Sequence, residues 1–266
     1  MTTALPPTDL RPLRAALPAA LVALDFDGTL APISPHPDDA RVADGVVPLL
    51  RDVRAAGAAL AVVTGRSVES LLRVSGFGAV PGIVIYGLHG LERWENGSLL
   101  APPAPAGIRE LRLSLPSIVD TADDPGVWIE DKELSLVVHA RMAAEPDRVI
   151  ELLRAPVTQA AAAAGLEVHP GKGVLEVCIP GTDKGTALRE LIGDRTSAVI
   201  FAGDDTGDVP AVQAVSAWSV RTGRPSLTVA VSPSGAGPLA GLADVTVPDA
   251  PGLVSLLRQI IGDRRD

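Results

Sequence analysis

An α/β fold with a central parallel sheet, interrupted by a smaller α+β unit, is what this sequence predicts, and three observations predict it. Short apolar runs bounded by turn residues recur along the chain, and they alternate with segments of helical periodicity. That alternation is the pattern of a parallel sheet covered on both faces. The pattern then changes after the Pro-rich stretch Ala101-Pro102-Pro103-Ala104-Pro105. With 266 residues and 47% hydrophobic content the chain can bury a sizeable core, as one large domain or two unequal ones.

The elements follow in order. Leu21-Val22-Ala23-Leu24 reads as the first buried strand. Arg11 and Arg14 ahead of the apolar stretch 15–24 imitate a secretion signal, but Pro18 interrupts that stretch and Asp25 ends it. About ten residues are also too few to cross a bilayer, which needs about 20. A helix over 45–56, with Val46, Val47, Leu49, Leu50 and Val53 inward, stops at Gly57. Strands at Ala59–Val63 and Ile83–Tyr86 flank a second helix opened by Ser67. The unit after the Pro-rich stretch holds a helix near 108–119, a strand pair near 127–129 and 134–139, a helix over 146–164, and a hairpin of 166–170 with 174–179. Helices segregated from a mostly antiparallel sheet define a small α+β domain. We therefore expect the larger domain to comprise residues 1–104 and 181–266, and the insertion residues 105–180. Asp183 to Leu191 resumes the helical pattern, Ala198 to Ala202 is a further strand, and 253–261 is a last amphipathic helix.

The net charge of −9, with no run of Lys and Arg, excludes a nucleic-acid backbone as partner. The single cysteine, Cys178, cannot form an intramolecular disulfide, sits in an apolar run, and fits core packing in a reducing compartment such as the cytoplasm. His139 and His169 read as ordinary hydrogen-bonded or solvated histidines.

The chemistry concentrates at strand ends. Asp25-Phe26-Asp27-Gly28-Thr29-Leu30 directly follows the first strand. Ligands of an open parallel sheet gather at the carboxyl ends of its strands. Two carboxylates one residue apart can divide the work: one attacks phosphorus, and the other exchanges a proton with the leaving oxygen and then with water. Taken alone, the segment is also an ordinary Asp-Gly turn. Three further segments argue for more. Thr64-Gly65-Arg66 ends a strand with a hydroxyl and a backbone N–H suited to phosphate oxygens. Lys184-Gly185 opens a helix with an ammonium that can neutralise a phosphoryl group. Gly203-Asp204-Asp205-Thr206-Gly207-Asp208 closes a strand with carboxylates, the ligands a hard divalent cation prefers.

In this order the four segments resemble the motifs of the haloacid dehalogenase phosphatases. The resemblance implies a Rossmann-like core with an inserted C2-type cap. It also implies Asp25 as nucleophile, Asp27 as acid/base, Thr64, Gly65 and Lys184 on the phosphate, and Mg2+ held by Asp25, Asp27, Asp204 and Asp208, with Asp27 offering its backbone carbonyl and Asp208 acting through water. The segment Leu30-Ala31-Pro32-Ile33, the loop Gly87-Leu88-His89-Gly90-Leu91-Glu92, Glu130-Asp131-Lys132 with Ser135, His139 and Arg141, and Gly171-Lys172 with Glu176 narrow it further. They resemble trehalose-6-phosphate phosphatases. The implied sugar contacts are Glu130, Lys132 and Glu176, with Arg141, Lys172, His89 and Gly90 beside them. Carboxylates can accept from paired sugar hydroxyls while lysines donate to sugar oxygens.

The chain departs from that pattern at Val209-Pro210, where an acidic residue is usual, and at Gly207, where Thr is common. The rival substrates are other sugar phosphates, among them sucrose phosphate, mannosyl-3-phosphoglycerate and pseudo-disaccharide phosphates. A rival of another class is a non-catalytic module that keeps the fold; the intact set Asp25, Asp27, Lys184 and Asp204 speaks against it. A small-molecule sugar phosphate is the expected partner, with any synthase on a separate chain and no membrane association.

Overall fold

The computed structural model describes residues 9–171 and 173–262. It divides into two compact units, Met1–Leu100 with Asp183–Asp266, and Ala101–Thr182. In chain order the first unit begins with α1 (Arg11–Ala16), β1 (Leu21–Leu24), α2 (Val46–Ala55), β2 (Ala59–Val63), α3 (Val68–Ser75), β3 (Ile83–Gly87), β4 (Glu92–Glu95) and β5 (Ser98–Leu100). The second unit holds α4 (Ala106–Val119), β6 (Trp128–Asp131), β7 (Leu136–His139), α5 (Pro146–Ala163), β8 (Glu167–Gly171) and β9 (Val174–Cys178). The first unit then resumes with α6 (Lys184–Leu191), β10 (Val199–Gly203), α7 (Val209–Thr222), β11 (Ser226–Val231), β12 (Val245–Val247) and α8 (Ala250–Ile261).

The sheet of the first unit has the strand order β12-β11-β10-β1-β2-β3-β4-β5. From β12 to β3 neighbouring strands are parallel, whereas β4 and β5 turn back antiparallel at one edge. That edge adds an antiparallel hairpin to the expected parallel sheet. Both connections are too short for a crossover: residues 88–91 join β3 to β4, and Asn96-Gly97, both at positive φ, joins β4 to β5. The strands β4, β5, β11 and β12 and the helices α1 and α7 were not anticipated from the sequence.

Successive strand residues point to opposite faces, and β1 shows what covers each face. Val22 and Leu24 pack in one apolar cluster with residues of α1, α2, α3 and α8; Leu21 and Ala23 pack in another with α6 and α7. Burial on both sides explains why this strand reads as an unbroken apolar run. Helix α3 starts at Ser67, whose side chain accepts from the Ser70 N–H, and its Val68 N–H also donates to buried Glu92 at 2.6 Å. A carboxylate at a helix N-terminus satisfies an otherwise orphaned donor and complements the dipole.

The sheet of the second unit has the order β6-β7-β9-β8, antiparallel throughout. Leu136, Val138, Leu175 and Val177 form its apolar face, packed with Ile108, Leu111 and Leu115 of α4 and Leu153, Val157 and Ala161 of α5. The alternate residues put Glu130, His139 and Glu176 on the other face, around Val137. Cys178 is buried and its thiol is pushed up to about 12, first by burial and then by Glu176 and Glu167. Only the thiolate is nucleophilic, so near pH 8 the reactive fraction is on the order of 10⁻⁴. Folded protein should therefore resist iodoacetamide at pH 8 while guanidinium-unfolded protein reacts; mass spectrometry showing rapid labelling of the folded chain would contradict this packing. Among the described residues no helix is long and apolar enough to cross a membrane.

Candidate active site

Strand order builds the site in the first unit. β1 lies between β10 and β2, so the residues that follow these strands, Asp25, Asp204 and Thr64, emerge side by side at one sheet edge. The Asp25 N–H still donates to Ala202 at 2.9 Å, which extends the ladder one step and holds the backbone of Asp25 in line with the strand. Gly28 then turns the chain at φ +82, and a Cβ there would lie 2.1 Å from Asp204 Oδ2. Glycine is required for both the backbone angle and the close approach of that carboxylate.

Lys184, the first residue of α6, reaches back into this edge. Its Nζ donates to Asp25 Oδ1 at 2.6 Å and to Asp208 Oδ1 at 2.8 Å, and all three side chains are buried. Thr29 Oγ1 links Asp25 Oδ2 at 3.3 Å and Asp204 Oδ1 at 3.5 Å. The other oxygen of Asp208 accepts from the N–H groups of Asp204 at 2.8 Å and Asp205 at 3.1 Å. Asp208 thus shapes the loop that presents Asp204.

The electrostatics are those of a buried excess of negative charge. Burial raises the Asp25 carboxyl well above its ordinary range; Lys184 opposes this, while Asp208, Asp204 and Asp205 add to it. Asp204 is pushed up to about 7 by burial, followed by Asp205 and Asp208. For Lys184 burial works against the charge, but Asp208 and Asp25 outweigh it and hold the ammonium well above its usual range. One cation does not balance the surrounding carboxylates. Oxygens of Asp25, Asp204 and Asp208 lie within 4.8 Å of one another, an all-oxygen donor set that fits a hard divalent cation.

Asp27 is held differently. Arg66 donates Nε and Nη2 to its two carboxylate oxygens, each at 2.7 Å, and Nη1 to the Pro37 carbonyl at 2.8 Å. The guanidinium also lies 5.3 Å from the centroid of the Phe26 ring. Such a bidentate pair fixes a carboxylate in orientation as well as position. Arg66 and Thr29 carry contacts that sequence reasoning left unassigned: Arg66 stood inside a quoted motif, but nothing local to it names Asp27 as its partner.

Thr64 is buried, and its Oγ1 accepts from the Arg66 N–H at 3.2 Å. The loop after β3 is laced to this turn, with the His89 N–H donating to Thr64 at 2.9 Å and the Leu88 N–H to Arg66 at 2.8 Å. Leu88 and His89 both take positive φ, 48 and 58, a conformation that non-glycine residues adopt at a cost of about 1–3 kcal/mol each. The imidazole packs on Gly65, where a Cβ would meet His89 Cε1 at 2.8 Å; Gly90 packs 3.1 Å from the Ala187 Cβ of α6 by the same measure.

In the second unit, strand register gathers the residues implied as sugar contacts. Glu130 and Glu176 both lie opposite Val137, on the face away from α4 and α5. Glu176 Oε1 accepts from Lys132 Nζ at 3.2 Å and from Ser135 Oγ at 3.1 Å. Glu130 Oε2 pairs with His139 Nε2 at 2.9 Å. Arg141 follows β7 and packs against Gly173, while Lys172 lies outside the described residues.

The fold recurs in solved structures. A haloacid dehalogenase-like hydrolase from Bacteroides thetaiotaomicron superposes with a TM-score of 0.61 at 15% identity, over 91% of this chain and 99% of that one. The C-terminal domain of the C. albicans trehalose-6-phosphate phosphatase superposes with a TM-score of 0.81 at 19% identity, over 98% and 99%. The chain therefore shares the α/β fold of these proteins. Residues 23–236 match the family model for trehalose-phosphatase, and the trehalose-6-phosphate phosphatase of Escherichia coli is 32% identical over 190 residues, 69% of each chain. The chain belongs to the trehalose-phosphatase family, a family of phosphoric monoester hydrolases.

Proposed function

We propose that this chain hydrolyses trehalose 6-phosphate to trehalose and inorganic phosphate in trehalose biosynthesis, through an aspartyl-phosphate on Asp25. The observation that carries the reaction is the buried contact of Asp25 Oδ1 with Lys184 Nζ at 2.6 Å, in one cluster with Asp204 and Asp208. The substrate follows from family membership and from the polar cap face that bears Glu130, Lys132 and Glu176.

A carboxylate oxygen of Asp25 attacks phosphorus, and the bond from phosphorus to the sugar 6-oxygen breaks. Asp27, with one oxygen released from Arg66 and carrying a proton, gives that proton to the leaving oxygen. Water then attacks the aspartyl-phosphate, Asp27 takes up a proton from it, and phosphate leaves with Asp25 restored. Thr64 and the Gly65 N–H receive phosphate oxygens, and Lys184 offsets their charge. Asp25, Asp204, Asp208 and the backbone carbonyl of Asp27 would hold Mg2+, which supplies the positive charge that lets an anionic carboxylate approach an anionic phosphate. The cap carboxylates and Lys132 read the sugar hydroxyls, and this is the part of the protein that sets specificity.

A panel of phosphate esters, each with and without magnesium, tests the reading. Trehalose 6-phosphate should be the best substrate, with release lost on chelation. A kcat/KM for glucose 6-phosphate or sucrose 6-phosphate that equals or exceeds it would remove trehalose 6-phosphate as the substrate. The sugar face has its own test. Glu130→Ala and Glu176→Ala should each lower kcat/KM for the disaccharide about 10–100-fold, the loss of one or two charge-assisted hydrogen bonds, and leave p-nitrophenyl phosphate nearly unchanged. Equal losses on both esters would take these carboxylates out of the sugar site.

A further inference from the structure

His139 sits at the centre of an arrangement that the catalytic reading leaves unused. It is 5% exposed at the end of β7, and its ring stacks on that of Trp128 with centroids 4.0 Å apart and planes 5° from parallel. Trp128 and His139 are directly opposed in the strand register, so this stack belongs to the sheet and does not depend on a loop. Nε2 is 2.9 Å from Glu130 Oε2. A carboxylate accepts, so Nε2 carries the hydrogen and Nδ1 is the second polar atom of the ring. Nδ1 is buried and has no hydrogen-bond partner among the described residues.

A buried polar atom without a partner costs stability. Phenylalanine would keep the aromatic stack and remove that cost. The feature phenylalanine cannot supply is the hydrogen that Nε2 gives to Glu130. We infer that His139 is a positioning residue, clamped by Trp128, that fixes the Glu130 carboxylate in the orientation needed to accept hydroxyls of the sugar. The inference rests on Glu130 being a sugar contact, as proposed above. Burial alone would raise the Glu130 carboxyl, but the hydrogen bond from His139, with help from Lys132, outweighs it and holds it below its ordinary value. The same hydrogen bond thus keeps Glu130 an acceptor and aims it. Ser135 and Lys132 hold Glu176, on β9 across β7, in a corresponding way, so both carboxylates have a dedicated donor.

The test compares His139→Phe, His139→Gln and Glu130→Ala in the full chain, with KM and kcat for trehalose 6-phosphate, activity on p-nitrophenyl phosphate, and Tm. His139→Phe should raise KM for the disaccharide about tenfold, the value of one charge-assisted hydrogen bond, with less change in kcat. It should leave p-nitrophenyl phosphate turnover unchanged and Tm close to that of the parent, because relief of the unpartnered Nδ1 offsets the hydrogen bond lost to Glu130. His139→Gln, whose amide can donate at a similar reach, should recover most of the loss, and His139→Phe should add nothing in a Glu130→Ala background. A proportional loss on both esters with a lowered Tm would make His139 structural only and overturn the inference. Loss in Glu130→Ala without loss in His139→Phe would overturn the role of His139 alone. An unaltered KM in Glu130→Ala would overturn both this inference and the sugar contact on which it rests.

Discussion

Replacing Asp25 with asparagine is expected to lower phosphate release from trehalose 6-phosphate by at least about 10⁴-fold, the scale on which loss of a covalent nucleophile is felt. The amide is nearly the same shape, so Thr29 keeps an oxygen to donate to, and Lys184 keeps Asp208 at 2.8 Å. It cannot attack phosphorus as a carboxylate does. Folding should not suffer, because burial is the main force raising the Asp25 carboxyl and a neutral amide escapes that penalty. The expected result is therefore an inactive protein with an undiminished Tm. Release within tenfold of the parent would show that another group attacks phosphorus.

Lys184→Met should have the second largest effect, and it should act on stability as well as rate. The methionine side chain has similar length and fills the same space, but it leaves Asp25 and Asp208 facing each other across a buried site without the ammonium that now bonds both, at 2.6 and 2.8 Å. Removing one partner of a buried ion pair costs about 3–5 kcal/mol, because the remaining charge is left without compensation. Loss of a charge that faces the transferring phosphoryl group should lower kcat by about 10²–10³-fold. Urea unfolding without added metal, read beside phosphate release with magnesium, separates the two effects. Parent-like stability would mean that Asp25 and Asp208 do not depend on Lys184, and parent-like kcat would remove it from the phosphate site.

Much of this was legible because it is local. A strand buried on both faces must be apolar at every position, so Leu21 to Leu24 stood out, and Asp25 ended the run where a parallel strand delivers its ligands. The same reasoning located Thr64, Asp204 and Lys184, each at an element boundary. The edge strands β4 and β5 were not legible, since Glu92 to Leu100 lacks the continuous apolar character of an interior strand and only the hairpin defines them. Arg66 is the clearest case within the site. Its position in a motif was visible, but its partner Asp27 lies 39 residues away, and only the neighbouring placement of β1 and β2 brings them together.

The sequence by itself determined the buried strands β1, β2, β3 and β10, the helices α2 to α6 and α8, and which chemistry-bearing groups stand at element ends, because periodicity and burial are properties of short stretches. Tertiary structure decided the pairings: Lys184 with Asp25 and Asp208, Arg66 with Asp27, and His139 with Glu130. Strand order and register set those partners, and both come from hydrogen bonds between segments far apart in the chain. A periodic pattern can say that Glu130 and His139 share a face, but only the ladder of β6 on β7 puts one within reach of the other.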